Sequence, residues 1–68
     1  MFTLVDQRYK LDGPALMRAR LEKNLTLTKF AEACAWSPAY QWKLEGHEIE
    51  SISEATKNVI EDVLKSFN

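Results

Sequence analysis

The segment 25–46 constrains the fold more than any other part of the chain, because it carries the start and stop signals of two short helices. Thr26 can cap the first helix through its side-chain oxygen, and apolar residues then recur at helical spacing. This apolar stripe consists of Leu27, Phe30, Ala31 and Cys34. Ser37 and Pro38 form a favoured start for a second helix, and Gly46 is a favoured end. The pattern predicts two helices joined by a tight turn.

The helices are predicted over 27–34 and from 38 to about 45, with Ala35 and Trp36 in the turn. The rotation of about 100° per residue assigns the faces of the second helix. The predicted core face holds Ser37, Tyr40 and Leu44. The predicted outer face holds Pro38, Ala39, Trp42 and Lys43, with Gln41 at its edge. Two positions for Trp42 stay open: full exposure, which indicates a contact surface, and the core rim after a slight rotation of the helix.

The chain before this segment divides at Pro14, which is tolerated in the first turn of a helix. Residues 2–11 are rich in types that favour strands, and Asp6 could stand in a turn between two strands. We therefore expect a short hairpin or a single extended arm, followed by a helix over 14–24. The candidate inward residues of this helix are Ala15, Leu16, Met17, Ala19 and Leu21.

The chain after this segment begins with a polar connector, 46–51, and ends in the clearest helical period. Ser51 and Glu54 fit a capping box, and Ser53 is a competing cap. The apolar stripe that follows consists of Ile52, Ala55, Val59, Ile60, Val63, Leu64 and Phe67. The pattern predicts a final helix over 51–67.

Together these elements predict one mainly α domain over residues 1–68. It has about four helices and a short N-terminal β-hairpin or extended arm. The hairpin or arm occupies 1–12, the two-helix unit 26–46 and the C-terminal helix 51–67.

The small size of the chain limits its core, since a domain of this length buries only about 60% of its unfolded surface. Self-association is the expected support, with Val63 and Phe67 as candidate contacts. Cys34, the only cysteine, lies on an apolar stripe and is expected to be a buried small hydrophobe. His47 stands among glutamates, where a solvated charge cluster is the default. We expect no metal, no cofactor and no enzymatic activity, because the chain carries no nucleophile–base set and no glycine-rich phosphate loop.

Several residues of the segment 25–46 follow one recurring pattern, Leu-Thr-x-x-x-Leu-Ala-x-x-x-Gly-Val-Ser-x-x-x-Ile-x-x-Ile-Glu-x-Gly. The residues that correspond are Leu25, Thr26, Phe30, Ala31, Ala35, Trp36, Ser37, Leu44 and Glu45. The segment thus resembles the helix-turn-helix of the phage Cro/repressor-type family, often called XRE-like. Gln41 stands where that family has a buried aliphatic residue, and the final helix is continuous where the family commonly has two.

The resemblance implies double-stranded DNA as the partner, with the second helix of the unit in the major groove. Its base-reading candidates are Pro38, Ala39, Gln41, Trp42 and Lys43. Its phosphate-binding candidates are Thr26, Thr28, Lys29, Arg18 and Arg20. The expected function is sequence-specific DNA binding by a small transcriptional regulator or mobile-element protein, acting as a homodimer on two half-sites.

The charge distribution bears on this expectation. The net charge of −1 argues mildly against a nucleic-acid partner. Residues 1–43, however, hold seven basic and four acidic residues, net +3, whereas residues 44–68 hold two basic and six acidic residues, net −4. A DNA-binding face is expected in the first part. The acidic part supports an alternative, a protein-binding module such as an antirepressor or inhibitor whose partner is another regulatory protein.

The N-terminus lacks the apolar core of a signal peptide. No run approaches the roughly 18 apolar residues of a membrane helix. With a single unpaired cysteine, the sequence predicts a cytoplasmic protein without membrane contact.

Overall fold

The computed structural model describes residues 1–46, 49 and 51–67; the interpretation given for His47 lies outside these residues. The elements follow in the order β1 (Phe2–Val5), β2 (Arg8–Leu11), α1 (Gly13–Glu22), α2 (Leu27–Cys34), α3 (Pro38–Glu45), β3 (Ser51–Ile52) and α4 (Glu54–Ser66). The predicted class, mainly α with four helices and an N-terminal hairpin, is confirmed for the described part of the chain.

The N-terminal residues form a hairpin and not a single arm. Strands β1 and β2 are antiparallel, from the pair Phe2–Leu11 to the pair Val5–Arg8. Asp6 in the connecting turn has a φ of 52°, a left-handed conformation that aspartate adopts more readily than most residues. This turn therefore forms without the glycine that tight hairpins usually carry.

The third strand was not predicted. Ser51 and Ile52 pair antiparallel with β2, and the Arg8 side chain donates to the Ser51 hydroxyl at 2.7 Å and to its carbonyl at 2.9 Å. Because Ser51 is held in the sheet, it cannot cap a helix. Ser53 is the cap, its side chain accepts from the backbone N–H three residues later, and α4 begins at Glu54. The predicted start of the final helix at residue 51 is wrong for this reason.

The core collects apolar side chains from the sheet and all four helices. Its buried members are Leu11, Leu16, Leu25, Phe30, Cys34, Leu44, Ile52, Ile60 and Val63. Helix α4 packs against α2 and against β2, so the acidic C-terminal part closes one side of the domain. Val63 is only 8% exposed because its side chain packs in this core, so its prediction as a contact between copies is wrong. Phe67 lies at the surface.

Helices α2 and α3 have the predicted bounds and pack against each other as a helix-turn-helix. The Thr26 and Ser37 side chains each accept, at 3.1 Å, from the backbone N–H three residues further on. Ala35 has a φ of 65°, the left-handed conformation that this turn requires and that glycine adopts at lower cost. Ala31 is fully buried.

Helix α1 begins one residue earlier and ends two residues earlier than predicted. The Asp12 carboxylate caps it by accepting from the Ala15 backbone N–H at 3.2 Å. Of its predicted inward residues, Met17 and Leu21 are exposed, the latter by 54%. The buried line of α1 runs instead through Gly13, Leu16 and Arg20.

Gly13 brings the start of α1 against the end of α3. A Cβ atom at this position would lie 2.5 Å from the Glu45 carbonyl oxygen and 2.6 Å from that of Leu44, closer than real contacts allow. Only glycine therefore permits this approach of the two backbones. The contact fixes where α3 lies relative to α1.

Candidate nucleic-acid interface

Helix α3 presents one exposed face, which we call the reading face: Pro38, Ala39, Trp42 and Lys43. At about 100° per residue, these positions span an arc of roughly 140°. Trp42 is 58% exposed, so the first of its two possible positions is the observed one. An exposed indole beside a lysine gives this face a large apolar contact area with one positive charge.

Gln41 does not belong to the reading face, which corrects its prediction as a base-reading residue. It is fully buried. Its Oε1 accepts from the Trp36 indole at 2.9 Å, and its Nε2 donates to the Glu45 carboxylate at 2.7 Å. Gln41 stands four residues after Ser37 and three before Leu44, on the inner line of the helix. That spacing was visible in the sequence, but the polar side chain suggested the surface.

Trp36, in the turn before α3, lies half-buried against the core. Its ring meets that of Tyr40 edge-on, with the centroids 5.2 Å apart. The indole N–H is satisfied by Gln41, so the first residues of α3 rest on a packed aromatic pair. This support lies on the side of the helix opposite the reading face.

The prediction of Arg20 as a phosphate-binding residue is also wrong, because its side chain is buried and already paired. Its Nε and Nη2 donate to the two carboxylate oxygens of Glu45 at 2.8 and 3.0 Å. Its Nη1 donates to the Leu25 carbonyl at 2.8 Å. A guanidinium with these partners cannot reach a phosphate without breaking a buried ion pair. Its role is structural: it ties α1 to the end of α3 and to the segment that leads into α2.

The remaining phosphate candidates are exposed. Thr26, Thr28 and Lys29, which we call the anchor residues, lie at the start of α2, and Arg18 lies on the outer side of α1. The first backbone N–H groups of a helix point outward and favour an anion, and α2 has its amino end beside these residues. The Thr26 oxygen accepts the Lys29 N–H as a cap, while its hydroxyl proton is left to donate.

A shallow groove of about 300 Å³ borders the reading face and was not predicted. It is lined by Met17, Arg20, Leu27, Trp42, Glu45 and Gly46. The groove joins the exposed part of α1 to Trp42, so the apolar surface extends beyond α3. The exposed Met17 is the residue that sequence reasoning placed inside and that the structure places here.

The described part of the chain was also searched for a reactive thiol, a metal site and a membrane-spanning helix. Burial raises the pKa of the Cys34 thiol to about 12, so this residue is the inert hydrophobe that its stripe predicted. No group of three or more residues suited to hold a metal ion occurs among residues 1–46, 49 and 51–67. Within the same residues, no helix is long and apolar enough to cross a membrane.

Comparison with known proteins gave no match to a family model, to a curated protein or to a solved structure.

Proposed function

We propose that this protein binds double-stranded DNA as a small transcriptional regulator or mobile-element protein, with α3 in the major groove. The observation that carries the proposal is the helix-turn-helix itself, in which the reading face and the anchor residues are all exposed. An α-helix fits the major groove, and the preceding helix of such a unit crosses the phosphate backbone. Phosphate contacts would fix the register of the complex, and α3 would read base edges.

The electrostatics support this orientation of the domain. Lys29 and Lys43 are exposed on the two helices of the unit, and Arg18 is exposed on α1. Three of the six acidic residues of the C-terminal part, Glu54, Glu61 and Asp62, by contrast, lie on α4, which packs against α2 and β2. A domain that meets DNA with the first three helices would therefore hold these three carboxylates away from the phosphates. Such a regulator would act in the cytoplasm.

Fluorescence anisotropy with a random-sequence duplex, measured over a series of salt concentrations, tests the proposal. The wild-type chain should bind at low salt, and its affinity should fall steeply as salt rises. The double variant Lys29→Ala/Lys43→Ala should bind more weakly, and its salt slope should be smaller by about one for each phosphate contact removed.

Lys65→Ala is the matched control, because Lys65 is an exposed lysine on α4. This variant should keep the wild-type affinity and slope. An affinity and slope that stay unchanged in the double variant would remove α2 and α3 from the binding surface.

A single small domain reads few base pairs, so we propose a homodimer on two half-sites. Phe67, exposed at the end of α4, is the candidate contact between copies. Sedimentation should give a dimer for the wild-type chain and a shift toward monomer for Phe67→Ala. A wild-type chain that stays monomeric at high concentration would exclude pairing through α4.

A second function, a protein-binding module, is favoured by one observation: the exposed Trp42 borders a groove that Met17 and Leu27 extend. Exposed aromatic side chains of this kind are common anchors in protein interfaces. Absence of DNA binding even at low salt, in a chain shown by circular dichroism to be folded, would favour this function over the first.

A further inference from the structure

The reading face offers hydrogen-bond donors but no acceptors. The Trp42 indole and the Lys43 ammonium can only donate, and Pro38 and Ala39 have apolar side chains. In a fully exposed position Gln41 could have supplied an amide oxygen, but that oxygen accepts from Trp36. The reading face thus combines apolar surface with positive or neutral donors.

The carboxylate that α3 itself carries is buried as well. The Glu45 carboxylate is 6% exposed and accepts from Arg20 and Gln41. Since the Gln41 amide and the Glu45 carboxylate are both engaged, neither of these two groups is turned toward the reading face. What α3 can recognise then follows from the face alone.

The base edges in the major groove differ in what they require. Adenine and cytosine each present an amino group that needs an acceptor, whereas guanine presents two acceptors and thymine presents a methyl group with one acceptor. A face without acceptors complements guanine and thymine. Lys43 suits the guanine O6 and N7 atoms, and Ala39 and Trp42 suit a pyrimidine methyl group.

The spacing along α3 brings these two preferences together. Ala39 and Lys43 are one helical turn apart, about 6 Å along the axis, and Trp42 lies between them on the same face. Neighbouring base pairs are about 3.4 Å apart, so the two contacts fall within one or two base-pair steps.

We propose that the reading face selects a pyrimidine C5 methyl group within one or two base pairs of a guanine, and that Ala39 and Trp42 are the residues that detect the methyl group. This inference rests on the proposed DNA-binding function and names its specificity. Two bases carry this methyl group, thymine and 5-methylcytosine, and the experiment separates them.

The experiment starts from the site that the full-length wild-type chain enriches from a random duplex library. Anisotropy then compares that duplex with versions in which each thymine in turn is replaced by uracil, cytosine or 5-methylcytosine. Loss of the one contacted methyl group should weaken binding about fourfold, the factor that corresponds to one buried methylene. Replacement by 5-methylcytosine should weaken binding less than replacement by cytosine, since it restores the methyl group.

Two variants connect the effect to the residues. Trp42→Ala should bring the thymine-to-uracil ratio close to one, and Lys43→Ala should reduce the preference for guanine while the methyl effect remains. Leu4→Ala is the control for loss of exposed apolar surface, since Leu4 lies at the surface of β1, and it should keep the wild-type ratio. Circular dichroism of each variant verifies that it is folded.

The outcomes separate the two proposals. No binding to any duplex at low salt would overturn DNA binding, and the inference with it. Binding in which no site is enriched, or in which uracil replaces every thymine without loss, would overturn the inference and leave DNA binding intact. A uracil effect that persists unchanged in Trp42→Ala would overturn the proposal that Trp42 detects the methyl group.

Discussion

The buried pair Arg20–Glu45 supplies the sharpest test of how α3 is held. Side-chain exposure is 9% for Arg20 and 6% for Glu45, and the guanidinium donates to both carboxylate oxygens. Removing one partner leaves an uncompensated buried charge, which costs about 3–5 kcal/mol. A domain of this size is stable by only roughly 3–10 kcal/mol, at about 0.05–0.15 kcal/mol per residue. We therefore expect Glu45→Met to be close to unfolded at room temperature.

The double variant Arg20→Met/Glu45→Met should be more stable than Glu45→Met, although it carries one more substitution. It removes both charges and leaves two neutral groups without partners, the Gln41 amide and the Leu25 carbonyl. Each unsatisfied group costs about 1–3 kcal/mol. Part of this loss is offset, because apolar residues in place of a buried ion pair avoid the cost of desolvating two charges. Adding Gln41→Leu should recover more stability, because it removes the unpaired amide and in its place leaves only the N–H of the half-buried Trp36 indole without its partner.

Urea denaturation followed by circular dichroism measures these differences, and thermal melting gives a second scale. A loss of 3 kcal/mol should lower the melting midpoint by roughly 12–24 °C. Arg20→Lys is the milder variant that stays measurable if Glu45→Met does not fold: it keeps the charge but not the paired geometry of the guanidinium. A cost below about 1 kcal/mol for Glu45→Met, or a loss in the double variant equal to the sum of the two single losses, would show that Arg20 and Glu45 do not act as a buried pair.

Three further predictions concern the stability of the domain: the close approach at Gly13, the buried Cys34 and the ion pair of Lys57 with Glu61. Gly13→Ala should destabilise the domain by about 1–3 kcal/mol through the clash with the α3 backbone, whereas Gly46→Ala, whose Cβ would lie 3.2 Å from its nearest neighbour, should cost less in the same urea titration. Cys34 should react with a thiolate-directed reagent at pH 8 only as fast as the chain opens. Because its pKa is raised from 9.0 to about 12 in the folded protein, stability should fall as pH rises above about 9. Lys57 donates to Glu61 at 2.8 Å, which lowers the pKa of Glu61 below its ordinary value of 4.5. The stability that this carboxylate contributes is present above pH 4.5 and lost as pH falls further, so the difference in melting midpoint between the wild-type chain and Glu61→Gln should shrink in acid.

Sequence reasoning succeeded where the determining signals are local. The bounds of α2 and α3 follow from Thr26, Ser37 and Pro38, which act within one turn of the helix that each begins. It failed where the structure of a segment depends on a partner that is distant in the sequence. Strand β3 has two residues and becomes a strand only because β2 lies beside it.

The same limit explains the errors at the site. Arg20 and Glu45 are 25 positions apart, so neither residue alone indicates a buried ion pair. Gln41 follows the inner line of α3 by spacing, but an isolated glutamine is rarely buried. Its burial is possible because Trp36 and Glu45 satisfy both ends of the amide. A spacing argument and a polarity argument conflicted, and the partners that resolve the conflict come from the folded structure.

The exposure of Trp42 and the burial of Gln41 are two results of one rotation. Adjacent residues of a helix differ by about 100°, so α3 cannot turn Gln41 outward without carrying Trp42 toward the core rim. The hydrogen bonds of Gln41 to Trp36 and Glu45, together with the Arg20 pair, hold the helix at the observed angle. We therefore expect the polar network on the inner side to determine which residues of α3 are exposed on the outer side. Gln41→Leu keeps the size but removes this constraint, and it should alter the exposure of Trp42 to a fluorescence quencher. An unchanged quenching constant would show that packing alone sets the angle of α3.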